Sequence, residues 1–148
     1  MKIHPDFSDF IAALNNNNVE YVVVGAFDLA YLGYPRYTGD LDIWINPTEK
    51  NAHSLLKAIS EFGLKSLPLT VQDILSGDVI QLGYPPVRID LLTILDALTA
   101  KEILETSVQG PLGTHKVNYM AKEAFIKNKK AIGRFKDLAD IEAIEKNT

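Results

Sequence analysis

Two carboxylates stand two residues apart in the segment "YTGDLDIWI", residues 37–45, whose apolar residues predict a half-buried strand. Successive side chains of a strand point to opposite faces, so Asp40 and Asp42 are expected to share one face. Like charges placed side by side destabilise a strand unless water or a cation relieves the repulsion. Carboxylate oxygens suit Mg²⁺ or Mn²⁺ better than zinc. The alternative is an exposed strand edge whose two carboxylates are simply hydrated.

A third acid occurs in "VRIDLLT", residues 87–93, where Asp90 is surrounded by apolar residues. An unpaired buried carboxylate is costly, so Asp90 needs a cation or a partner. Arg88 lies on the same strand face and could supply an ion pair. If this strand instead lies beside the 41–45 strand, Asp90 joins Asp40 and Asp42, and the three could bind one or two divalent ions. Such ions could hold the attacking and leaving oxygens of a phosphoryl or nucleotidyl transfer.

A glycine turn precedes these acids, in "VVVGAFD", residues 22–28. A buried strand ends at Gly25, and a helix is predicted to begin at once. Glycine permits a tight turn and close approach of a ligand. The amides of Ala26 and Phe27 would lie at a helix N-terminus, where phosphate binds readily. Strand–glycine–helix turns are also common without any ligand.

The basic residues are unevenly distributed, although the net charge is −4. Seven of the 15 Lys and Arg residues lie between positions 116 and 136, together with one acid, Glu123. This run is either a solvated helix face or an anion site. If the helix is continuous, Lys127, Lys130 and Arg134 share one face because they are spaced by three and four residues.

Length and composition favour one domain spanning residues 1–148 with a substantial core. An apolar fraction of 47% with both charge signs is typical of a soluble globular protein. The sequence has no apolar run of about 18 residues, so no membrane association is predicted. The N-terminal segment lacks a signal pattern and the chain has no cysteine, so a cytoplasmic location is expected.

The order of predicted elements is mixed and indicates an α+β fold, with a small mixed β-sheet flanked by helices. Asn46 and Pro47 are predicted to begin the central helix, and Gly63 to end it. Pro35 is expected to end the second helix, and Pro85 and Pro86 to separate two strands. Helices are predicted near residues 5–14, 26–34, 47–62, 69–75, 99–104, 120–132 and 135–146. Strands are predicted near residues 19–24, 41–45, 78–84, 87–93 and 115–120.

In this order, the motifs resemble the nucleotidyltransferase superfamily with the DNA polymerase β-like fold. Its pattern is a hydrophobic residue, Gly, then Gly or Ser, a spacer, two acids alternating with hydrophobic residues, and a third acid on a later strand. Here Val24-Gly25-Ala26, the spacer 27–39, Asp40-Leu41-Asp42-Ile43 and Asp90 match it. Together with "NKKAIGRFKDLADIEAI", the chain is similar to a small bacterial group close to the nucleotidyltransferase toxins of abortive-infection and toxin–antitoxin systems. The resemblance covers most of residues 19–145.

The resemblance implies a Mg²⁺- or Mn²⁺-dependent enzyme that moves a nucleoside monophosphate from a nucleoside triphosphate to a hydroxyl of a protein, an RNA or a small molecule. Asp40 and Asp42 would hold the metal that carries the triphosphate. Asp90 would complete a second metal site and help deprotonate the acceptor. The Gly25-Ala26 turn would contact the phosphates through its amides. In addition, the residues Lys127, Lys130 and Arg134 are assigned to the triphosphate.

Two positions depart from the family pattern. Ala26 replaces the usual Gly or Ser, and Asp28 in the first helical turn would compete with phosphate if it pointed into the pocket. Both features suit the alternative function, a catalytically degenerate antitoxin or interaction module that binds a protein partner. Nucleic acid is expected only as an acceptor, because the acidic balance and the lack of a groove-reading motif disfavour a sequence-specific binder.

Overall fold

The computed structural model describes residues 3–34, 39–63, 68–84 and 86–146. The breaks predicted at Pro35 and Pro85 fall outside these residues. Over the described residues the helices are α1 (Pro5–Asn16), α2 (Gly25–Tyr31), α3 (Glu49–Phe62), α4 (Val71–Leu75), α5 (Ala100–Thr106), α6 (Lys122–Ile132) and α7 (Phe135–Lys146). The strands are β1 (Tyr21–Val24), β2 (Asp40–Ile45), β3 (Ile80–Tyr84), β4 (Val87–Leu92), β5 (Val108–Leu112) and β6 (His115–Tyr119).

The six strands form one mixed sheet in the order β3-β4-β2-β1-β6-β5. Strands β2 and β4 run parallel, as do β1 and β6, whereas the other three neighbouring pairs are antiparallel. The α+β architecture with a small mixed sheet and flanking helices is therefore confirmed. The parallel pairing of β2 with β4 places the two strands that carry the acids side by side. Neither strand is at an edge, because β3 pairs with β4 and β1 pairs with β2.

The alternation of residues along β2 separates two cores on opposite sides of the sheet. Leu41, Ile43 and Ile45 are fully buried against α1, α3 and α4. Trp44 lies on the opposite face and is buried with α5, α6 and α7. Asp40 and Asp42 share the face of Trp44 because side chains alternate along a strand. The two carboxylates therefore lie at the border of this second core, which contains Trp44.

The helix start predicted at Asn46 lies two residues further on. Thr48 is the residue that caps α3, and its hydroxyl accepts a hydrogen bond from the Asn51 amide. Asn46 instead makes tertiary contacts with Glu20, since its amide N–H donates to the Glu20 carbonyl and its side-chain Nδ2 donates to Glu20 Oε1. The predicted end at Gly63 is confirmed, with a left-handed φ of 112° that glycine tolerates without strain.

Strand β5 was not predicted from the sequence. It contains Gly110 and Pro111, which are both unfavourable in strands and hid its pattern. The strand is tolerated because it lies at the edge of the sheet and pairs with β6 alone. Gly110 is also required for packing, since a Cβ at this position would overlap the ring of Tyr31.

The condition for a shared face of Lys127, Lys130 and Arg134 is not met. Helix α6 ends at Ile132, and Gly133 adopts a left-handed conformation with φ of 71°. This residue turns the chain into α7, so Arg134 does not continue the helical spacing. In the described part of the chain, no helix is both long and apolar enough to span a membrane.

Candidate active site

A cavity of about 400 Å³ opens at the end of the sheet where the second core stops. Its lining combines acidic and basic side chains with backbone of the β1–α2 turn. The acids are Asp40, Asp42 and Asp90, and the basic residues are Arg88, Lys129, Arg134 and Lys136. Gly25, Gln81, Asn128 and several apolar residues complete the wall. Charges of both signs in one cavity suit a ligand that is itself a complex of an anion and a cation.

Strand register brings the three predicted acids together. Asp42 on β2 lies directly opposite Asp90 on the neighbouring parallel strand β4. Asp40 lies two residues before Asp42 and opposite Arg88. These four side chains therefore project from one face of the sheet as two neighbouring pairs. The expectation that Asp90 joins Asp40 and Asp42 agrees with this arrangement.

Arg88 also makes the ion pair that the sequence offered as the alternative for Asp90. Its Nη2 atom donates to Asp40 Oδ2 at 2.8 Å and to Asp90 Oδ2 at 3.1 Å. Its Nε atom lies 3.0 Å from Asp90 Oδ1, without the alignment of a hydrogen bond. The two interpretations are therefore not exclusive, because the acids converge and a guanidinium lies between two of them.

Ionisation of Asp42 is costly in the folded protein. Burial, followed by repulsion from Asp90 and Asp40, raises the pKa of Asp42 to about 6. The positive charge of Lys129 opposes this shift. A divalent cation beside Asp42 would relieve the same repulsion, since an opposite charge favours the ionised form.

The glycine turn touches the acids directly. Gly25 has a left-handed φ of 68°, and a Cβ at this position would overlap Asp42 Oδ2. Glycine is thus needed both for backbone conformation and for the close approach of Asp42. Ala26, whose amide was predicted to contact phosphate, is buried and is not among the residues that line the cavity.

A buried carboxylate organises the basic side of the cavity. Asp137 on α7 is fully buried and lies 3.2 Å from Lys129 Nζ and 2.6 Å from Arg134 Nε. Burial alone would raise the pKa of Asp137, but the hydrogen bond from Arg134 and the charge of Lys129 outweigh it and lower that pKa. Asp137 therefore remains ionised and fixes two cations at the cavity wall.

The structure separates the predicted basic residues into two groups. Arg134 lines the cavity, whereas Lys127 and Lys130 are exposed and are not among its lining residues. The Nζ atom of Lys127 lies 3.1 Å from Oε2 of Glu102 on α5. The Nζ atom of Lys130 lies 3.2 Å from Oε1 of Glu145 on α7. The assignment of these two lysines to a triphosphate remains a prediction without geometric support.

Sequence reasoning did not single out Lys129 or Asp137. A helical signal for Lys129 was present, because it follows Phe125 by four residues and therefore lies on the buried side of α6. A lysine on a buried face needs an acidic partner. Which acid would supply it could not be inferred, since the partner belongs to α7.

Asp28 does not compete for phosphate at the cavity. It is fully buried and absent from the cavity lining. Neither carboxylate oxygen has a hydrogen-bond partner among the described residues. Burial raises the pKa of Asp28 to about 8, so the group is mostly protonated at neutral pH. The concern raised by its position in the first turn of α2 therefore does not apply to this geometry.

We expect Asp28→Asn to stabilise the protein at high pH. The folded state keeps a proton that the unfolded state loses above its pKa of 3.8, so stability falls as pH rises from about 4 to about 8. The variant lacks this loss and should unfold with a free energy higher by on the order of 2 kcal/mol at pH 8. Urea unfolding from pH 4 to pH 8.5 measures the difference, which should vanish near pH 4.

The exposed residue Asp78 supplies a matched control for that experiment. Asp78→Asn should leave the pH dependence of unfolding unchanged, because an exposed carboxylate has no burial penalty to lose. An Asp28→Asn variant that is less stable than wild type at pH 8 would contradict the interpretation of Asp28 as a neutral buried acid.

The donor chemistry fits a divalent metal, but the arrangement of the donors is not yet that of a metal site. All three acids offer hard oxygen ligands, and Asp90 Oδ1 is buried without a hydrogen bond among the described residues. Over the same residues, no group of three or more His, Cys, Asp or Glu side chains is arranged to hold a metal ion. Arg88, which engages Asp40 and Asp90, supplies a physical reason for this difference.

Comparison with solved structures shows that the fold is shared with "a putative nucleotidyltransferase (TM1012) from Thermotoga maritima". The two chains are 18% identical and superpose with a TM-score of 0.58, over 99% of this chain and 92% of that one. No protein-family model matches the chain, and no curated protein matches it. At this identity the likeness establishes a nucleotidyltransferase-like fold and leaves the chemistry to be inferred from the site.

Proposed function

We propose that this protein is a metal-dependent nucleotidyltransferase with a polymerase β-like fold. It transfers a nucleoside monophosphate from a nucleoside triphosphate to a hydroxyl acceptor, which is a protein, an RNA or a small molecule. The bond between the α-phosphorus and its bridging oxygen to the β-phosphate breaks, and pyrophosphate leaves. A new bond forms between the acceptor oxygen and the α-phosphorus.

The observation that carries this proposal is the pairing of opposite charges across one cavity. Asp42 and Asp90 face each other on parallel strands, while Lys129 and Arg134 line the same cavity and are held by Asp137. A metal–triphosphate complex presents both charge signs, so it matches this surface better than a simple anion or cation would.

Each group has a role in the proposed reaction. Asp40 and Asp42 would hold the Mg²⁺ or Mn²⁺ that accompanies the triphosphate. Asp90 would complete a second metal site and help deprotonate the acceptor hydroxyl. Lys129 and Arg134 would bind phosphate oxygens through charge-assisted hydrogen bonds. The metal, when bound, supplies stabilisation of the charge that develops on the attacking and leaving oxygens. Gly25 leaves the room that Asp42 needs.

The second candidate function is a non-catalytic interaction module or antitoxin of the same fold. Its supporting observation is the ion pairing of Arg88 with Asp40 and Asp90, which neutralises part of the acidic site without any metal. A module of this kind would need no nucleotide and would act through a protein partner.

Calorimetry with Mn²⁺ and a non-hydrolysable triphosphate separates the two candidates. Binding that requires both components supports the enzyme, and radiolabel transfer from α-³²P triphosphates to an acceptor in cell extract then identifies the product. Lys129→Met should weaken triphosphate binding about tenfold or more, whereas Lys127→Met, which removes an exposed lysine, should not. Absence of nucleotide binding at millimolar Mn²⁺ would reject the transferase.

A further inference from the structure

Arg88 is placed where it can contact two of the proposed metal ligands with one nitrogen. It lies opposite Asp40 across the strand pair and two residues before Asp90 on its own strand. The Nη2 atom contacts an oxygen of each carboxylate, at 2.8 Å and 3.1 Å. The guanidinium thus balances charge at the same oxygens that a divalent ion would need.

One of the two contacts between Arg88 and Asp90 is an ion pair that lacks the alignment of a hydrogen bond. Arg88 Nε and Asp90 Oδ1 lie 3.0 Å apart, yet both are buried and neither has a hydrogen bond among the described residues. Asp90 is 9% exposed and lines the cavity, whereas its Oδ1 atom is itself buried beside Arg88 Nε. An ion pair without hydrogen-bond alignment is weaker than a well-aligned one. A divalent cation that binds both carboxylates could therefore replace the contacts of Arg88 with Asp40 and Asp90.

Arg88 cannot lose its proton when a metal ion approaches, because an arginine side chain stays charged at all accessible pH values. It must therefore move if the metal ion is to bind the same carboxylates. A divalent cation that bound Asp40 and Asp90 would be repelled by a guanidinium that remained in place. The Arg88 side chain is 27% exposed and borders the cavity of about 400 Å³, so it has space in which to move.

We propose that Arg88 and a divalent cation are alternative occupants of Asp40 and Asp90. Arg88 holds the acids together in the metal-free protein, and metal binding displaces it. This inference rests on the metal-dependent function proposed above and adds the residue that sets its metal affinity. The displaced guanidinium stays beside the cavity, where it can donate to phosphate oxygens. Metal and triphosphate should therefore bind cooperatively, each favouring the arrangement that the other needs.

The test is calorimetric titration of the full chain with Mn²⁺ alone at pH 7.5. We expect Arg88→Gln to bind Mn²⁺ about tenfold more tightly than wild type, because a competing charge within 3 Å of the ligands is removed. Lys136→Gln is the matched control, since Lys136 also lines the cavity and its loss should change the affinity less than about threefold. Equal or weaker binding by Arg88→Gln would overturn the proposal.

Two further measurements keep the test decisive. Melting of metal-free Arg88→Gln should occur at a lower temperature than that of wild type, and Mn²⁺ should raise it by more. If that variant fails to fold, Arg88→Lys replaces it, and we expect an affinity between those of wild type and the glutamine variant. If wild type binds Mn²⁺ with triphosphate but Arg88 variants gain nothing, only this inference fails. If no variant binds Mn²⁺ under any condition, the proposed function fails as well.

Discussion

Asp42→Asn is expected to abolish nucleotidyl transfer while making the protein more stable. The carboxylate faces Asp90 and sits against Gly25, so its loss removes a central ligand of the proposed metal and should reduce turnover by at least about 10²-fold. An asparagine keeps the size of the side chain and removes its charge. Steady-state label transfer gives the first quantity, and urea unfolding gives the second.

The stabilisation follows from the direction of the pKa shift. The pKa of Asp42 is raised from 3.8 to about 6 by burial and by the neighbouring acids. The folded state therefore holds a proton that the unfolded state releases, and stability declines as pH rises from about 4 to about 6. Above pH 6 the variant should exceed wild type by on the order of 1–2 kcal/mol, and near pH 4 the two should agree.

Glu142→Gln is the matched control for Asp42→Asn, because Glu142 is an exposed acid on α7 outside the cavity lining. It should alter neither activity nor the pH dependence of stability. A fully active Asp42→Asn protein would remove the metal-dependent transferase from consideration. An inactive but destabilised variant would instead indicate that Asp42 is structural.

Asp137→Asn is expected to cause the largest loss of stability, about 3 kcal/mol or more. Asp137 is fully buried, and Lys129, whose side chain is 11% exposed, would lose its partner. Removing one member of a buried ion pair leaves an uncompensated charge, which is far costlier than losing an exposed pair. Triphosphate affinity should fall as well, since Asp137 fixes both Lys129 and Arg134 at the cavity.

The pH dependence of the Asp137 effect has the opposite sign to that of Asp42. The pKa of Asp137 is lowered, so its contribution is fully present above about pH 4 and is lost as pH falls through the folded value. Chemical unfolding between pH 3 and pH 7 should therefore show wild type and Asp137→Asn converging at the acidic end.

A double-mutant cycle distinguishes this network from a general loss of packing. Lys129→Met added to Asp137→Asn should recover at least about 1 kcal/mol relative to the single variant, because the orphaned charge is removed. Lys127→Met, which breaks an exposed pair with Glu102, should cost no more than about 1 kcal/mol. If the effects of Lys129→Met and Asp137→Asn on the free energy of unfolding simply add in the double variant, Lys129 and Asp137 are not directly coupled.

Most elements could be predicted from local sequence because their signals are local. A helix was predicted near residues 5–14, where α1 lies, and Gly63 marked the end of α3. Strand β5 escaped because Gly110 and Pro111 contradict strand propensity, and only an edge position makes them acceptable. The start of α3 was predicted two residues too early because the side chain of Asn46, a good capping residue, is hydrogen-bonded to Glu20 instead.

The sequence by itself determined that Asp40 and Asp42 share a face, because strand side chains alternate with a period of two. It also determined that a glycine turn precedes them and that Asp90 needs a partner. Tertiary structure alone decided which partners are met, since the register of β2 and β4 places Asp42 opposite Asp90 and Asp40 opposite Arg88. Tertiary structure also decided that Lys129, and not Lys127 or Lys130, lines the cavity. The packing of α7 against α6 places Asp137 beside Lys129, and no local sequence pattern encodes a contact between separate helices.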